Sequence, residues 1–479
     1  MPTTRHKPGG FPMNPETDAM LVTGRRRFLR GAFAAATAMG ASSSLPFAAR
    51  AGSPAQHTLL ILNPGHFHAG LTLRSSDPRL ADDVYVYAEQ GPDVDNFIRM
   101  VESFNNRPTN PTRWKLHVYR GPDYADRLQS ERRGDIVVIS GKNNTKMTSI
   151  QQFHDSGFNV LGDKPWLIDE AGLGRLRQVA GTNPLAMDIM TERYQIASRL
   201  QRALAKNPEL FGEYRRDGGD PAVELKSIHH LYKIVNGRPL IRPQWFFDTN
   251  IQGEGMMDVT THLVDLAQWM TGDGAPFEYQ RDVKLEAARQ WPTAVPLGIY
   301  SKITGLDDFP ATVRAHVESG VLQYLCNAGF EYELRGIPVQ IKSLWNLAIP
   351  EGGGDSHYAV LRGTRAQLTV DQGPDTGFKT RLTLDPGQDS RGYANALARA
   401  VDALQGEFPG VGYEADGGVY RIQIPDALRT GHETHFAEVL EQFLAYIEHG
   451  TWPRQLGPDI VAKYTLLVRA RELSHRVPG

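Results

Sequence analysis

The amino-terminal half shows short, continuous hydrophobic runs separated by turns and by helical stretches. Runs of this kind cover residues 58–62, 84–89 and 135–140. A strand inside a parallel sheet is covered on both faces, so it shows an unbroken apolar run instead of alternation. Strands that alternate with helices in this way predict a doubly wound parallel sheet of the Rossmann type.

The pattern changes near residue 220, where longer runs alternate between apolar and polar positions. Alternation of this kind is typical of an antiparallel sheet with one covered face. The predicted fold class is therefore α/β, with a Rossmann domain followed by an α+β domain that has an open, mostly antiparallel sheet. We predict a Rossmann domain over residues 52–190 and a second domain, for substrate binding and oligomerisation, over 191–479.

Length and charge agree with two globular domains and exclude some classes of partner. A chain of 479 residues is too long for one ordinary domain. The formal net charge is −2, and no basic stripe indicates nucleic-acid binding. The single cysteine, Cys326, cannot form an internal disulfide, and its apolar surroundings predict a packing role.

Residues 1–51 have the order of a targeting segment. Arg25, Arg26 and Arg27 precede a mild apolar run, which ends at the small residues around Ala51. Paired arginines in this position predict a twin-arginine signal, hence the twin-arginine export machinery as a partner and a periplasmic location. Beyond this segment we find no apolar run long enough to span a bilayer, so we expect no integral membrane segment after signal removal.

The first strand ends in a glycine turn that suits a dinucleotide. A strand, a glycine turn and a helix together offer backbone N–H groups to a pyrophosphate. Gly65 keeps the central glycine of the fingerprint, whereas Asn63 and His68 replace the first and third. By itself this imperfect motif is weak evidence. With the surrounding strands it predicts cofactor contacts from the turn, at Asn63, Gly65, His66 and His68.

Three further polar residues lie at predicted strand ends on the same side of the sheet. Glu89 follows the second strand, where an acid can bind a ribose 2′-hydroxyl and favour NAD over NADP. An ordinary solvated acid at a strand end explains Glu89 about as well. Asn143 and Lys164 follow later strands, and ligands bind doubly wound sheets at these carboxyl ends.

The segment Gly253–Asp265 places a carboxylate and an imidazole four residues apart. On a helix, Asp258 and His262 would share one face, and a carboxylate that orients a histidine makes a general base. The alternative is a helix-terminal charge beside a half-buried histidine. His432-Glu433-Thr434-His435 does not have the zinc His-Glu-x-x-His spacing, and we predict no metal site.

Three motifs occur in the order of a known family. They are the glycine turn, the sequence Asp163-Lys164-Pro165 and Gly-x-Gly-x-x-Asp-x-x-x-His at 253–262. The chain resembles the glucose-fructose oxidoreductase/inositol dehydrogenase (Gfo/Idh/MocA) family over nearly all of its mature length. Asp163 stands where that family has glutamate. Residues 354–358 and 431–436 resemble a bacterial subgroup that has its own carboxyl-terminal domain.

The resemblance implies an enzyme that uses NAD or NADP. Lys164 would contact substrate and cofactor, Asp258 would bind a substrate hydroxyl, and His262 would be the general acid/base. The expected partner is a small carbohydrate or polyol. The open sheet of this family often serves oligomerisation, so the resemblance also implies a homo-oligomer.

Three functions therefore remain open at the level of sequence. The first is an NAD(P)-dependent oxidoreductase that acts on a sugar, glycoside or cyclic polyol and retains its cofactor. The second is a redox-neutral glycosidase of the same fold, which uses bound NAD transiently. The third is a carbohydrate-binding protein without catalysis, which the substitutions Asn63 and His68 favour and the intact Lys164, Asp258 and His262 oppose.

Overall fold

The computed structural model describes residues 57–235, 238–350, 352–387 and 392–476. The predicted export signal at 1–51 lies outside this range. The amino-terminal part contains a six-stranded parallel sheet. Its strands are β1 (Leu59–Leu62), β2 (Asp83–Ala88), β3 (Lys115–Arg120), β4 (Ile136–Ile139), β5 (Asn159–Asp163) and β6 (Ala186–Ile189). The accompanying helices are α1 (His68–Thr72), α2 (Pro92–Asn105), α3 (Tyr124–Glu131), α4 (Asn143–Asp155), α5 (Leu173–Val179) and α6 (Ile196–Ala205).

The strand order is β3-β2-β1-β4-β5-β6, which is that of a doubly wound dinucleotide-binding sheet. All residues of β1 and β4 are buried, as their unbroken apolar sequences predict. Strands β2 and β3 lie on one side of β1, and β4, β5 and β6 lie on the other, so the strand order reverses between β1 and β4. The crevice at this switch point is the usual place for a ligand in such a fold.

The second part is built on a ten-stranded sheet. The strands of this part are β7 (Val223–Tyr232), β8 (Ile234–Val235), β9 (Arg238–Pro239), β10 (Val283–Pro296), β11 (Val317–Glu318), β12 (Val321–Leu334), β13 (Ile337–Ala348), β14 (Ser356–Arg362), β15 (Gln367–Gln372), β16 (Arg381–Asp385), β17 (Gly412–Asp416) and β18 (Val419–Gln423). Nine of them follow the order β10-β12-β13-β7-β14-β15-β16-β18-β17 in the large sheet, and β11 pairs with β12, while β8 and β9 form a separate hairpin. The helices are α7 (Thr249–Gln252), α8 (Thr260–Thr271), α9 (Tyr279–Asp282), α10 (Leu297–Thr304), α11 (Tyr393–Leu404), α12 (His432–His449) and α13 (Leu456–Arg476).

Within the large sheet only the pairing of β7 with β13 is parallel, and the other strand pairs run antiparallel. The predicted fold class is thus confirmed. The central strand β7 shows why the alternation was visible in sequence, because buried and half-buried residues alternate from Val223 to Ile228. Among the described residues, no helix is both long and apolar enough to cross a membrane.

Helix α12 returns from the second part to cover the Rossmann sheet. Its residues Phe436, Leu440 and Phe443 are buried in one hydrophobic cluster with residues of β1 and β2. The ring of Phe436 also lies 4.7 Å from the ring of His68 in α1. The two parts therefore share one hydrophobic cluster.

A buried group of charged residues joins the same two parts. Lys463 of α13 lies 2.8 Å from Asp188 of β6 and 2.9 Å from Asp265 of α8. Arg193 donates two hydrogen bonds to Asp265, at 2.5 and 2.6 Å. Every charge in this group has an opposite partner, which is the condition for burying charged side chains without a large penalty.

Candidate functional site

A cavity of about 860 Å³ lies between the carboxyl ends of the parallel strands and one face of the second sheet. It is large enough for a drug-sized ligand, since such pockets span roughly 300–1,000 Å³. Its walls are polar at many points. The lining includes His66, His68, Asn143, Asp163, Lys164, Glu192, Ser227, His229, Lys233, Arg242, Trp245, Asp258, His262, Trp345, Asp355, His357, His432 and His435.

Lys164 and Asp258 form an ion pair inside this cavity. Lys164 follows β5, and its ammonium group donates a hydrogen bond to Oδ1 of Asp258. Their side chains are only 10% and 9% exposed. Burial raises the pKa of Asp258, but the charge and hydrogen bond of Lys164 outweigh it, so the net pKa is lowered. Asp258 is therefore ionised at neutral pH and compensated by Lys164.

The local backbone around Asp258 departs from the expected geometry. Gly255–Met257 form a 3₁₀ turn, Asp258 follows it with φ −97° and ψ −106°, and α8 begins only at Thr260. Asp258 is therefore not inside the helix that contains His262. The expectation that Asp258 orients His262 across one helical turn was wrong, because the carboxylate is directed to Lys164 instead.

His262 lies in the first turn of α8 and lines the cavity. Its Nδ1 is buried and has no hydrogen-bond partner among the described residues. Burial, followed by the positive charge of Lys164, lowers the pKa of His262 to about 3. At neutral pH the imidazole of His262 is therefore uncharged.

Asp163 is the centre of a buried hydrogen-bonded cluster beside Lys164. One carboxylate oxygen contacts Lys146 of α4, and the other lies 3.1 and 3.2 Å from Nδ1 of His66 and His68. Burial alone would raise the pKa of Asp163, but Lys146 and both histidines hold it well below its usual range. The acid of the Asp-Lys-Pro motif thus fixes the glycine turn to α4, whereas its neighbour Lys164 points to Asp258.

His66, His68 and Asp163 also have the residue types of a metal site. Their potential ligand atoms lie within 4.8 Å of one another, a cluster that the sequence had not indicated. Lys146 already neutralises Asp163, and burial, with smaller effects from the charges of Lys164 and Lys146, lowers the pKa of His66. A divalent cation would add to two ammonium groups in a buried space. We therefore assign this cluster to hydrogen bonding.

The glycine turn is closely covered by the second part of the chain. A Cβ at Gly65 would lie 3.3 Å from both Oδ2 of Asp93 and the ring of Trp245. The indole Nε1 of Trp245 donates to that same carboxylate at 3.2 Å. The backbone N–H groups of Gly65 and His66 both donate to the carbonyl of Ser140 at 3.0 Å. These two N–H groups are therefore engaged within the protein.

The remaining predicted cofactor residues have different surroundings. Asn63 has the positive φ of 40° that a glycine would adopt readily, and its side-chain oxygen accepts from the backbone N–H of Glu89 at 3.3 Å. The Glu89 carboxylate is exposed, 3.7 Å from Lys142. Asn143 is buried, and its amide nitrogen donates to Gln252. Asn143 therefore joins the two parts, although it also lines the cavity.

The opposite wall of the cavity contains polar residues that sequence reasoning missed. Nδ1 of His229 lies 3.2 Å from Asp355, and Nε2 lies 2.7 Å from Oγ of Ser227. Oγ of Ser227 also lies 3.0 Å from Nδ1 of His357. We call Asp355, His229, Ser227 and His357 the Asp355 chain. Ser227 and His229 share a strand face, which alternation could have shown, but their pairing with β14 is not visible in sequence.

Glu192, His432 and His435 form a further part of the wall that was not predicted as functional. Burial opposes ionisation of Glu192, but the nearby imidazoles, of which His432 has the largest effect, outweigh it and lower the net pKa of Glu192. His432 Nδ1 lies 3.6 Å from the Glu192 carboxylate. The cavity thus presents an anionic carboxylate among several imidazoles, which suits a ligand rich in hydroxyl groups.

Comparisons with known proteins place the chain in a family. Residues 200–475 match a family model described as "Putative oxidoreductase C terminal domain". A solved structure from Parabacteroides merdae, also described as a putative oxidoreductase, is 36% identical, covers 89% of this chain and 99% of its own, and superposes with a TM-score of 0.86. The chain belongs to the Gfo/Idh/MocA oxidoreductase family. A search of curated proteins found no match.

More distant Gfo/Idh/MocA structures share the fold. GenD2 of gentamicin A biosynthesis, solved with NAD, is 16% identical, covers 90% of this chain and 97% of its own, and has a TM-score of 0.55. KijD10, a 3-ketoreductase from Actinomadura kijaniata solved with NADP, is 14% identical, covers 87% of this chain and 96% of its own, and has a TM-score of 0.51. At these identities the likeness shows the common architecture of both halves.

The turn that positions Asp258 in this Gfo/Idh/MocA protein offers a stability test. A Cβ at Gly255 would lie 2.3 Å from the backbone oxygen of Cys326, so the two segments must move apart. Gly255→Ala is expected to lower the free energy of unfolding by about 1–3 kcal/mol. Urea denaturation measures this value. Gly298→Ala is the control, since its Cβ would meet nothing within 4 Å. Equal stability of the two variants would contradict the described packing.

Proposed function

We propose that this protein is an NAD(P)-dependent oxidoreductase that acts on a secondary hydroxyl of a sugar, glycoside or cyclic polyol. The observation that carries the proposal is the meeting of Lys164, Asp258 and His262 in one cavity at the carboxyl ends of the parallel strands. Membership of the Gfo/Idh/MocA family supports it. So do the NAD and NADP that GenD2 and KijD10 hold in their solved structures.

The surroundings of the glycine turn limit how a dinucleotide could bind. The side chains of Asp93 and Trp245 pack against Gly65, where a Cβ would lie 3.3 Å from each of them. The exposed carboxylate of Glu89 is available for ribose hydroxyl groups, in the position that favours NAD. Lys164 would contact the nicotinamide end. Because two N–H groups of the turn bind Ser140, pyrophosphate contacts must come from other groups of the crevice.

The chemistry divides between the cofactor and the side chains. A bound nicotinamide would accept a hydride from the carbinol carbon of the substrate. His262, uncharged at neutral pH, takes the hydroxyl proton. The ammonium group of Lys164 stabilises the negative charge that develops on the oxygen. Asp258 accepts a hydrogen bond from a substrate hydroxyl and, through its other contact, pairs with the ammonium group of Lys164.

Export and assembly belong to the same proposal. Paired arginines at 25–27 support export through the twin-arginine machinery to the periplasm. The family supports a homo-oligomer formed through the open sheet. Free nicotinamide nucleotides are scarce outside the cytoplasm, so an exported enzyme must fold around its cofactor first and then retain it. The retained cofactor must be regenerated by a second substrate or within one redox-neutral reaction.

The two alternatives differ in what else they require. A redox-neutral glycosidase needs a second proton acceptor in the same cavity, besides His262. A carbohydrate-binding protein needs neither cofactor nor base. Burial of the Lys164–Asp258 ion pair costs desolvation free energy, and in a binding protein no catalytic role would offset that cost. Nucleotide content separates the binding protein from both enzymes.

We expect exported protein to contain close to stoichiometric NAD(P). The measurement is to denature the purified protein and assay nucleotide in the supernatant. Gly65→Val should lose most of the nucleotide because its side chain would meet Asp93 and Trp245. Gly174→Ala is the control, since its Cβ would meet nothing within 4 Å. Substoichiometric nucleotide, with no binding of added NAD or NADP at millimolar concentration, would leave only the binding protein.

A further inference from the structure

Arg242 lines the cavity as a buried cation without an anionic partner. The residue is only 8% exposed. Its guanidinium donates from Nε to the carbonyl of Leu231 at 3.2 Å and from Nη2 to the carbonyl of His230 at 3.1 Å. Both acceptors are uncharged, and no carboxylate of the described residues pairs with Arg242. Burial lowers the pKa of Arg242, but a guanidinium stays protonated in proteins, so its positive charge remains.

Other cations in and near the cavity have carboxylate partners. Lys164 and Lys233, which line the same cavity, each pair with an aspartate. Arg193 shows the usual treatment of a guanidinium in this protein, since it donates two hydrogen bonds to Asp265. Buried charges in proteins are normally paired in this way. Arg242 differs from all three, because the described part of the chain offers it only carbonyl oxygens.

The guanidinium of Arg242 is held in place while part of its donor set stays unused. Its backbone N–H donates to the carbonyl of Ile303 at 2.9 Å, and its Cζ lies 4.4 and 5.1 Å from the ring centroids of Phe246 and Trp345. A guanidinium has five N–H groups, and two donate to carbonyls here, so three have no acceptor among the described residues. Two of these three belong to Nη1, which stays open to the cavity.

The indole of Trp345 is a second donor beside Arg242. Its Nε1 is buried and has no acceptor within the described ranges. This corner of the cavity therefore has donors without acceptors. Glu192 marks a different corner, where a carboxylate lies 3.6 Å from His432. A ligand group that contacts Arg242 must be an acceptor, and the charge of the guanidinium favours an anion.

Two carboxylates near Arg242 limit the charge of that anion. The charges of Asp258 and of Asp355, the carboxylate of the Asp355 chain, both raise the pKa of Arg242. Both therefore lie near the guanidinium without contacting it, and they would repel a phosphate dianion more strongly than a carboxylate with one charge. A planar carboxylate also fits two parallel N–H groups of a guanidinium. The anion that suits this position is a carboxylate.

We propose that Arg242 binds a carboxylate group of the substrate, which makes the substrate a hydroxylated acid such as a uronic acid or its glycoside. The proposal rests on the proposed oxidation of a sugar hydroxyl and names the class of sugar. The carboxylate accepts hydrogen bonds from Nη1 and Nη2 of Arg242, while Lys164 and Asp258 contact the hydroxyl that reacts. A neutral sugar leaves the guanidinium without its ion pair and binds less tightly for that reason.

The direct test compares sugars that differ at one group only. Exported protein is titrated by calorimetry with methyl hexopyranosides of the gluco, galacto and manno series, each beside the hexopyranosiduronate of the same configuration. At least one uronate should bind roughly 10- to 100-fold more tightly than its neutral counterpart, as expected for hydrogen bonds between charged groups. The corresponding phosphorylated glycosides supply a dianion and should bind less tightly than that uronate.

Variants of Arg242 separate its charge from its packing. Arg242→Gln keeps a donor for the two carbonyls but removes the charge, so it should lose the preference for the uronate. Arg242→Lys keeps the charge without the planar fork and should retain part of the preference. Arg202→Gln is the matched control, because Arg202 also donates to a carbonyl and lies 4.6 Å from an indole, that of Trp269, but does not line the cavity. The control should keep the preference in full.

The outcomes distinguish this site from the proposed function. A wild-type protein that binds no uronate more tightly than its neutral counterpart, an unchanged preference in Arg242→Gln, or tighter binding of the phosphates would overturn the proposal. Hydride transfer to the bound nucleotide is followed separately by absorbance. Tight uronate binding without hydride transfer would contradict the oxidoreductase and leave the carboxylate site in place. Turnover of neutral glycosides without any preference for uronates would leave the oxidoreductase and remove the carboxylate site.

Discussion

Replacing Lys164 by methionine is expected to destabilise the fold and to lower turnover at the same time. The change leaves Asp258 buried without its cation, and breaking one side of a buried ion pair costs about 3–5 kcal/mol. Loss of the ammonium group beside the reacting oxygen should lower kcat roughly 10²–10³-fold. Urea denaturation and steady-state kinetics measure the two effects.

The pH dependence of this variant follows from the two opposing effects on Asp258. Without Lys164, burial dominates and raises the pKa of Asp258 above its unfolded value. The folded state then binds more protons than the unfolded state at mildly acidic pH. The stability of Lys164→Met should therefore fall as pH rises from about 4 to 7. Wild-type protein should show the opposite trend for this group, since its pKa is lowered.

Two controls separate the buried pair from ordinary loss of charge. Lys284→Met removes an exposed lysine that pairs with Glu286 and Glu333, and it should leave the stability close to that of the wild type. The double variant Lys164→Met/Asp258→Leu removes both buried charges and should recover most of the stability but none of the turnover. A single variant as stable as Lys284→Met would show that the pair is not buried in solution.

The sequence predicted the fold class because its evidence is local. Continuous apolar runs such as 59–62 and the alternation from Val223 onward report how many faces of a strand are covered. The carboxyl ends of parallel strands meet at one edge, so Asn63, Asn143 and Lys164 could be placed near one crevice before their contacts were known. The catalytic and cofactor roles of these residues stay predictions that the experiments above test.

The contacts inside the site could not be predicted in the same way. Helical periodicity suggested that Asp258 orients His262, four positions away. Asp258 instead lies between a 3₁₀ turn and the start of α8, so its carboxylate is not on the helix that contains His262. Its partner Lys164 is 94 positions away. Ser227 and His357 are 130 positions apart and meet only through the register of β7 with β14. Local patterns contain no information about such pairings.

We expected a histidine oriented by a carboxylate at this site. The structure has one on the opposite wall of the cavity, where His229 contacts Asp355. Asp355 orients His229, which through Ser227 orients His357. His262 instead has a buried, unpartnered Nδ1 and faces the charge of Lys164. Its pKa is therefore set by burial and by a cation, and not by a carboxylate partner. This difference decides how the remaining prediction must be tested.

Replacing His262 by alanine is expected to lower kcat by roughly 10²–10⁴-fold, with little loss of stability at neutral pH. The residue accepts the hydroxyl proton in the proposed reaction. It makes no side-chain hydrogen bond through its buried Nδ1, so its removal breaks none there. His262→Gln, which keeps polarity and volume but cannot act as a base, should lose turnover to a similar extent.

Stability as a function of pH gives this prediction a second measurement, which does not depend on substrate. The folded pKa of His262 is about 3, below its ordinary value of 6.5, so the unfolded state binds the proton more tightly. Protonation of the unfolded chain then removes stability as pH falls from 6.5 towards 3. His262→Ala lacks this group and should lose less stability than wild type over that range. A variant that retains full turnover, or that unfolds at neutral pH, would show that His262 is a structural histidine and not the base.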